Sequence, residues 1–548
     1  MPAASTHPVA APATDGPQPS GGLAQRGLVA APYAALALGL ALQVWVGLRW
    51  IRLDQSVGEG VFPYGSWPMT QMLERIELGK LSSYLTSTIP PDLFSFTGLT
   101  GRALFGANPD ALLITILVLL VIAQLLLFDI ARWLGSPWAG VLAALLLPLA
   151  PDTGTLAHRW AAQLPHMLIL VSSAACLVRS RSFTRWLPTV GFTLCVMVGM
   201  AYSVWLTDNL LFLVAAGSMA VAVAVRGLAL NRGPTPGPLL GRRRVLGGSL
   251  AVAAVLAAGT WLLVVQRLEL SYYVDETMAE QYGQALDPKS PQALLGYLRF
   301  LWRDAMGPVL CIAAFTGAAL YARYGTARAE LLGWLLLPLL GLSIIAKKNS
   351  YYLAVIYPVI PLVTALGLAR IPWRWLRIPA MLLVLATAWW SWQGSSLTPT
   401  TGSPPRPVDY DPAFQTVNLP VLGYRQDAPY ERELRITKSQ RRFIQAEEGT
   451  VLCIMPMHET AALELALEPL LPDTRIRNNP VMAPCDFLLI RHFLPPGSHT
   501  APRIDRVDQL EPQLQDILQW RSFVLMNQDT QQSPVLYLLR QDRSDTAR

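Results

Sequence analysis

Apolar runs recur along the first two thirds of the chain, separated for the most part by short links that carry arginine. They lie at about 27-47, 111-128, 136-151, 161-178, 186-205, 209-225, 245-265, 307-322, 329-346, 351-369 and 376-393. A hydrocarbon core of about 30 Å takes ~20 apolar residues in an α-helix, so the pattern predicts eleven membrane spans. The run 136-151 is the weakest, being short and containing Pro148; if it did not cross, every later segment would change side. Arg26 and the apolar run Gly27 to Gly47 have the outline of a signal peptide. The run is long for one, however, and no small-residue cleavage motif follows it, so it reads as an uncleaved first span.

Three stretches break this rhythm: 50-110, 267-306 and everything after 394. In the first, Met69, Met72, Leu73 and Ile76 recur at helical spacing with Thr70, Gln71, Glu74 and Arg75 opposite, and Gly79 is a stop. That is an amphipathic helix suited to lying in the interface. A second helix is predicted after Pro90-Pro91, with Asp92 able to cap it and Leu93, Phe94, Leu99, Leu104 and Phe105 apolar. Residues 1-22 are Pro, Ala, Ser and Gly rich without a period, so they bury too little apolar surface to order. A Pro/Ser/Thr linker, 394-410, precedes a tail, 411-548. There strand-like runs (Val451 to Met455, Phe487 to Ile490, Val535 to Leu539) alternate with helical ones (Thr460 to Leu471, Val507 to Gln519), as in a small α/β domain. The fold class expected is an all-α polytopic membrane domain over 23-393, followed by a small C-terminal extracytoplasmic α/β domain.

Composition agrees. The chain is 52% hydrophobic and 14% charged, against about 25% charged in soluble domains. The net charge of +7 is not a nucleic-acid footprint, because the basic residues sit in the links. With the N-terminus cytoplasmic, the inside links hold Arg132, Arg179, Arg181, Arg185, Arg226, Arg232, Arg242, Arg243, Arg244, Arg323, Arg328, Arg370, Arg374 and Arg377. The short outside links hold only Arg159, Lys347 and Lys348. This is the positive-inside distribution, and it puts 50-110, 267-306 and the tail outside, as expected of a bacterial inner-membrane protein with a periplasmic C-terminus. Arg49 and Arg52 oppose the rule, and so does the lysine pair in a chain whose 43 basic residues are otherwise nearly all arginine. Cys176, Cys195 and Cys311 lie in apolar runs and read as small hydrophobes. Cys453 and Cys485 either pair in an oxidising compartment or stand as two thiols.

The order of short motifs resembles the GT-C superfamily of membrane glycosyltransferases, which includes protein O-mannosyltransferases and bacterial aminoarabinose transferases. Its members typically show, after the first span, an Asp-Glu pair, a juxtamembrane helix ending in Gly, a Pro-Pro-Leu element and a Leu-Phe-Gly element. Here Asp54, Leu78-Gly79, Pro90-Pro91 and Leu104-Phe105-Gly106 stand in that order. Later, Lys348-Asn349-Ser350-Tyr351-Tyr352-Leu353 and Tyr357-Pro358 with Pro361 are similar to the family's Lys-x-x-x-Tyr-Leu…Pro element. The similarity runs over about 27 to 370. Two positions depart from it: Gln55 replaces the Glu, and Ile89-Pro90-Pro91-Asp92 lacks the usual Lys and Leu.

The resemblance implies transfer of one sugar, with inversion, from a polyprenyl-phosphate donor to an acceptor hydroxyl on a lipid, glycan or protein outside the membrane, with the Asp as base. The residues suit that chemistry. A positioned carboxylate makes a hydroxyl a better nucleophile, and fixed cations at headgroup level make a lipid phosphate a better leaving group. Asp54 is the expected base, with Glu59 either replacing the missing second carboxylate or idle in the loop. Lys347, Lys348, Arg159, His158, Arg52 and Arg303 are candidates for the donor phosphate, against a plain role in anchoring to headgroups. Tyr351 and Tyr352 either stack on a sugar or, as the first choice, belong to the aromatic belt. His166 reads as a satisfied interior histidine. Asp275-Glu276 would be the place for a divalent cation; no other cofactor or metal site is expected. The rival functions are a transporter or flippase, which would need ionisable groups inside the spans or broken helices in repeated halves, and a non-catalytic envelope-polysaccharide assembly protein.

Overall fold

The computed structural model describes residues 23-53, 93-105, 109-150, 153, 156, 160, 163-200, 206-230, 238-266, 291-302, 306-325, 327-344, 350-396, 450-454, 474-477, 485-492, 523-529 and 535-541. Among them are thirteen α-helices: α1 (Leu23–Leu53), α2 (Leu93–Phe105), α3 (Pro109–Leu134), α4 (Pro137–Leu149), α5 (Gln163–Arg179), α6 (Trp186–Met200), α7 (Leu206–Leu230), α8 (Pro238–Gln266), α9 (Pro291–Phe300), α10 (Gly307–Tyr324), α11 (Arg328–Ile344), α12 (Val359–Leu368) and α13 (Arg374–Ser396). A 3-10 helix, Ser350–Val355, precedes α12. Three segments, Ala30–Leu48, Ala111–Leu134 and Asn209–Leu228, are long and apolar enough to cross a membrane, and seven further apolar helical segments are shorter. The chain is a multi-pass membrane protein.

Long-range contacts fix which helix ends meet. The ring of Tyr33 packs edge-on against Phe128 at 5.6 Å, while a side chain at Gly47 would run into Leu117; α1 is therefore antiparallel to α3. Asp129 pairs with Arg132 at 2.8 Å and with Arg179 across to α5, so α3 and α5 run the same way. Arg226 near the end of α7 meets Glu330 at the start of α11 at 2.9 Å. These ion pairs share one end of the bundle, called here the arginine end, where Arg370 also donates to the Leu134 carbonyl. Exposed tryptophans mark both ends: Trp133, Trp138, Trp186, Trp373 and Trp375 at the arginine end, Trp45, Trp261, Trp302 and Trp390 at the other. Their amphipathic rings favour the headgroup level.

Inside hydrocarbon, apolar side chains gain little by leaving the lipid, so close packing and interhelical hydrogen bonds hold the bundle. Gln124, fully buried in α3, donates to the Ala144 carbonyl of α4 at 2.9 Å. The backbones of α10 and α12 touch where Gly317 meets Gly367, and a Cβ at Gly317 would lie 2.7 Å from the Thr364 Cα. In the link between α5 and α6, Arg181, Ser182 and Phe183 all take positive φ (48°, 59° and 63°). Three such non-glycine residues in a row are strained, and the buried Phe183 ring, packed under Gly248 and beside Phe192, supplies the compensating contacts.

One expected span is not one helix. In place of a continuous helix over 351-369, the chain forms the 3-10 helix and then the ten-residue α12. Pro358 has no N–H to give to the turn before it, and its ring disfavours α geometry at Tyr357. The change to 3-10 pairing shows in the Ile356 N–H, which reaches Leu353 O at 2.9 Å. Pro361 is harmless, since the first turn of α12 needs no N–H there. The amphipathic helix expected over 69-79 lies outside the described residues, whereas that expected after Pro91 is α2.

In the tail, β1 (Val451–Ile454), β2 (Arg475–Arg477), β3 (Phe487–His492), β4 (Phe523–Asp529) and β5 (Val535–Gln541) form one sheet in the order β2-β1-β3-β5-β4. β1 is parallel to β2 and β3, β5 is antiparallel to β3 and β4, and an irregularity breaks the β4–β5 register between Leu525 and Asn527. Cys453 of β1 and Cys485, two residues ahead of β3, form a disulfide with Cα atoms 5.6 Å apart. That settles the alternative left open by the sequence. The strand runs at 451, 487 and 535 are those expected; β2 and β4 are additional. The helical runs expected at Thr460 to Leu471 and Val507 to Gln519 lie outside the described residues.

Gly317→Ala should lower the unfolding temperature of the detergent-solubilised protein, since overpacking a tight core costs about 1–3 kcal/mol. Gly341→Ala, where a Cβ meets nothing within 4 Å, should be neutral or stabilising by up to ~1 kcal/mol. Equal effects from the two substitutions would contradict the packing described.

Candidate functional site

A small cleft at the end of the bundle opposite the arginines is partly open to solvent, with about 290 Å³ of space between its walls counting that open part. Three elements build it. The first turns of α5 contribute Gln163, His166, Met167 and Leu170, successive positions of one helical face. α7 adds Leu211 and Phe212, and the 3-10 helix adds Tyr352, Ala354 and Val355.

His166 is held from two sides. Its Nε2 lies 2.8 Å from the Gly199 carbonyl of α6, and its ring stacks on Phe212 with centroids 4.9 Å apart and planes 5° from parallel. At Gly199 a side chain would strike that same Phe212 ring, so the glycine lets α6 come near enough for the hydrogen bond. His166 is thus the partnered interior histidine that the sequence leads one to expect. The 3-10 helix is anchored by the buried Trp334 of α11, whose Nε1 donates to the Val355 carbonyl at 2.8 Å. The end of a short 3-10 segment leaves carbonyls without intrahelical donors, and the indole satisfies one of them.

Tyr352 is only 4% exposed and lines the cleft. The belt assignment, the first choice for it from sequence, is therefore corrected: a ring so buried has no face for lipid headgroups, because the 3-10 twist turns it inward against α5. Tyr351 lies in the same 3-10 helix and Arg52 in the last turn of α1. Asp54, Glu59, His158, Arg159, Arg303, Lys347 and Lys348 lie outside the described residues, as does Asp275-Glu276. Their nearest described neighbours lie toward one end of the bundle. Ser350 opens the 3-10 helix beside the cleft, Trp160 stands three residues ahead of α5, and Leu53 ends α1 on the side of the bundle where α3 and α5 begin. Gln163 and Phe212 escaped sequence reasoning. A Gln163–His166–Met167–Leu170 face at i, i+3, i+4, i+7 was the available signal, and it looks the same as that of an ordinary core helix. No group of three or more His, Cys, Asp or Glu suited to a metal occurs among the described residues.

No family model and no curated protein matches the sequence. Solved structures do. ArnT from Cupriavidus metallidurans bound to undecaprenyl phosphate superposes over 92% of this chain and 97% of its own, with a TM-score of 0.54 and 11% identity. The chain has the GT-C fold. Looser likenesses extend to the arabinofuranosyltransferase AftD from Mycobacteria (14% identity, 93% of this chain and 39% of that one, TM-score 0.44). Another is the archaeal oligosaccharyltransferase AglB from Archaeoglobus fulgidus, in complex with an inhibitory peptide and a dolichol-phosphate (11% identity, 85% and 70%, TM-score 0.40). At those scores the last two superpositions carry no argument about this chain. On the GT-C fold, the cleft is framed by the start of α5 and by the 3-10 helix that follows the lysine pair.

Replacing His166 with Ala should cost about 1–3 kcal/mol of stability, because the buried Gly199 carbonyl loses this partner. Gln163→Ala, for which no hydrogen bond to another described residue is seen, should stay within about 0.5 kcal/mol. Thermal unfolding of the two variants in one detergent compares them directly.

Proposed function

We propose that this protein is a membrane glycosyltransferase that moves a sugar from a polyprenyl-phosphate donor to an acceptor hydroxyl at the outer face of the membrane, with inversion at the anomeric carbon. In the step itself, the acceptor oxygen bonds to the anomeric carbon as that carbon's bond to the phosphate oxygen breaks. The hydroxyl proton passes to Asp54, and the electron pair leaves on the polyprenyl phosphate. Lys347, Lys348 and Arg159, with Arg52, His158 and Arg303 nearby, neutralise the departing phosphate. Tyr351 and Tyr352 border the sugar, and Glu59 is a second carboxylate for the acceptor. A divalent cation at Asp275-Glu276 is part of the proposal only as an optional aid to the phosphate.

The observation that supports this reading is that the described segments next to these residues emerge at one end of the bundle. Asp54 follows Leu53 directly, Arg159 precedes the buried Trp160, and the lysines lead into the 3-10 helix. The GT-C fold supports the reaction class, and the neighbour ArnT is a complex with undecaprenyl phosphate. The ion pairs of Asp129 with Arg132 and Arg179 and of Glu330 with Arg226 lie at the opposite end, near helix ends rather than in mid-span as a transporter would need. Eleven crossings, a cytoplasmic N-terminus and an extracytoplasmic α/β tail in a bacterial inner membrane complete the proposal. The Cys453–Cys485 disulfide, a bond that persists in oxidising compartments, supports that orientation.

Asp54→Asn should insert and fold normally yet lose transfer from purified lipid-linked sugar by at least ~100-fold, the contribution of general base catalysis; unchanged turnover would refute the assignment. Single cysteines at 54 and 347 should both react with a membrane-impermeant reagent added from outside. Labelling from opposite sides would end the shared-pocket reading.

A further inference from the structure

At the arginine end, the turn joining α12 to α13 packs against the turn joining α3 to α4. Two guanidinium groups bracket this junction. Half-buried Arg370 donates through Nη2 to the Leu134 carbonyl at 3.5 Å, and Arg377, also half-buried, donates through Nε and Nη2 to the Ile371 carbonyl at 3.2 and 2.8 Å. Neither meets a carboxylate among the described residues. The paired acids of the bundle are engaged elsewhere, Asp129 with Arg132 and Arg179 and Glu330 with Arg226. Each guanidinium has five N–H donors, so one donor of Arg370 and two of Arg377 serve carbonyl oxygens, and neither positive charge has a carboxylate partner among the described residues. Four tryptophans flank the two turns along the chain, Trp133 and Trp138 beside the α3–α4 turn and Trp373 and Trp375 at the α12–α13 turn, and each is at least half exposed.

We infer that this junction is a binding site for an anionic phospholipid, with the headgroup phosphate held by Arg370 and Arg377 and the tryptophans seated at the glycerol level around it. The charge demands an anion, and guanidinium groups favour the two oxygens of a phosphodiester. The tryptophan frame demands that the anion sit at a membrane surface and carry acyl chains, because indoles prefer that depth. Basic pockets between helices at a membrane surface are suited to acidic headgroups. The site adjoins α12, the continuation of the 3-10 helix that lines the cleft, so an occupied site would stiffen that element from its far end.

The test uses the purified full-length chain in nanodiscs of phosphatidylcholine with or without phosphatidylglycerol, read by thermal unfolding and by lipid retention in native mass spectrometry. Phosphatidylglycerol is expected to raise the unfolding temperature by a few degrees and to remain bound where phosphatidylcholine does not. Arg370→Gln with Arg377→Gln should lose the increment and weaken retention by about tenfold. Trp373→Ser with Trp375→Ser, which leaves every hydrogen bond named here intact, should reduce both. Arg181→Gln with Arg185→Gln, at the same end but on another turn, should keep both. The inference is overturned if phosphatidylcholine stabilises equally, if inorganic phosphate alone reproduces the effect, or if the Arg181 and Arg185 variant loses as much as the Arg370 and Arg377 variant. Should the arginine variant fail to fold, an unchanged increment in the tryptophan variant overturns it as well.

Discussion

A hydrocarbon core offers no water to the peptide group, so every backbone N–H and C=O that enters it must find its partner within the protein. The α-helix meets this demand locally, which is why a chain so poor in charge folds as a bundle of helices. One described place where this regularity fails, the 3-10 helix ahead of Pro358, is instructive. There the orphaned carbonyl of Val355 is taken by the indole of Trp334, a side chain from another helix. The irregular backbone is tolerated because it is enclosed by protein, and that enclosure is the cleft lined by His166, Gln163 and Tyr352.

Charge follows the same logic. Asp129 and Glu330 are acids on helices, but each stands within a turn or two of the arginine end and each faces an arginine. An unpaired charge deeper in would be expensive, so these pairs act as pegs that fix α3 to α5 and α7 to α11 at a common level. Fixing one end fixes the other. Because α1 is antiparallel to α3 and α5 is parallel to it, the end of α1, the start of α5 and the 3-10 helix all emerge on the same side.

Gly317, Gly367 and Gly199 show how fine spacing is set. Each removes a side chain where two elements approach: at the first two, the backbones of α10 and α12 come into direct contact, and at the third, α6 is admitted to hydrogen-bond distance of His166. In lipid, where burial of apolar surface drives helix association weakly, such close approach contributes much of the cohesion.

The positions of most of the helices, the breaks between them, the arginine-bearing links and the three strand-like runs of the tail were legible in the sequence, because hydropathy and periodicity are properties of neighbouring residues; the helix Pro291–Phe300 was not. The break at Pro358 was legible in principle and was overridden by the hydrophobicity of 351-369. The short strands β2 and β4 were not, since three polar-flanked residues at 475-477 gain strand geometry only by pairing with β1. Nor was it decidable from the chain alone that Cys453 and Cys485 meet, that Tyr352 turns inward or that Gly199 serves His166. Each of these depends on residues 24 to about 190 positions apart, and no local free energy reports which distant segments will be neighbours. The sequence determined what each segment is; the tertiary structure alone decided which segments face one another, because that choice is made by shape and by hydrogen-bond partners brought together only when the bundle closes.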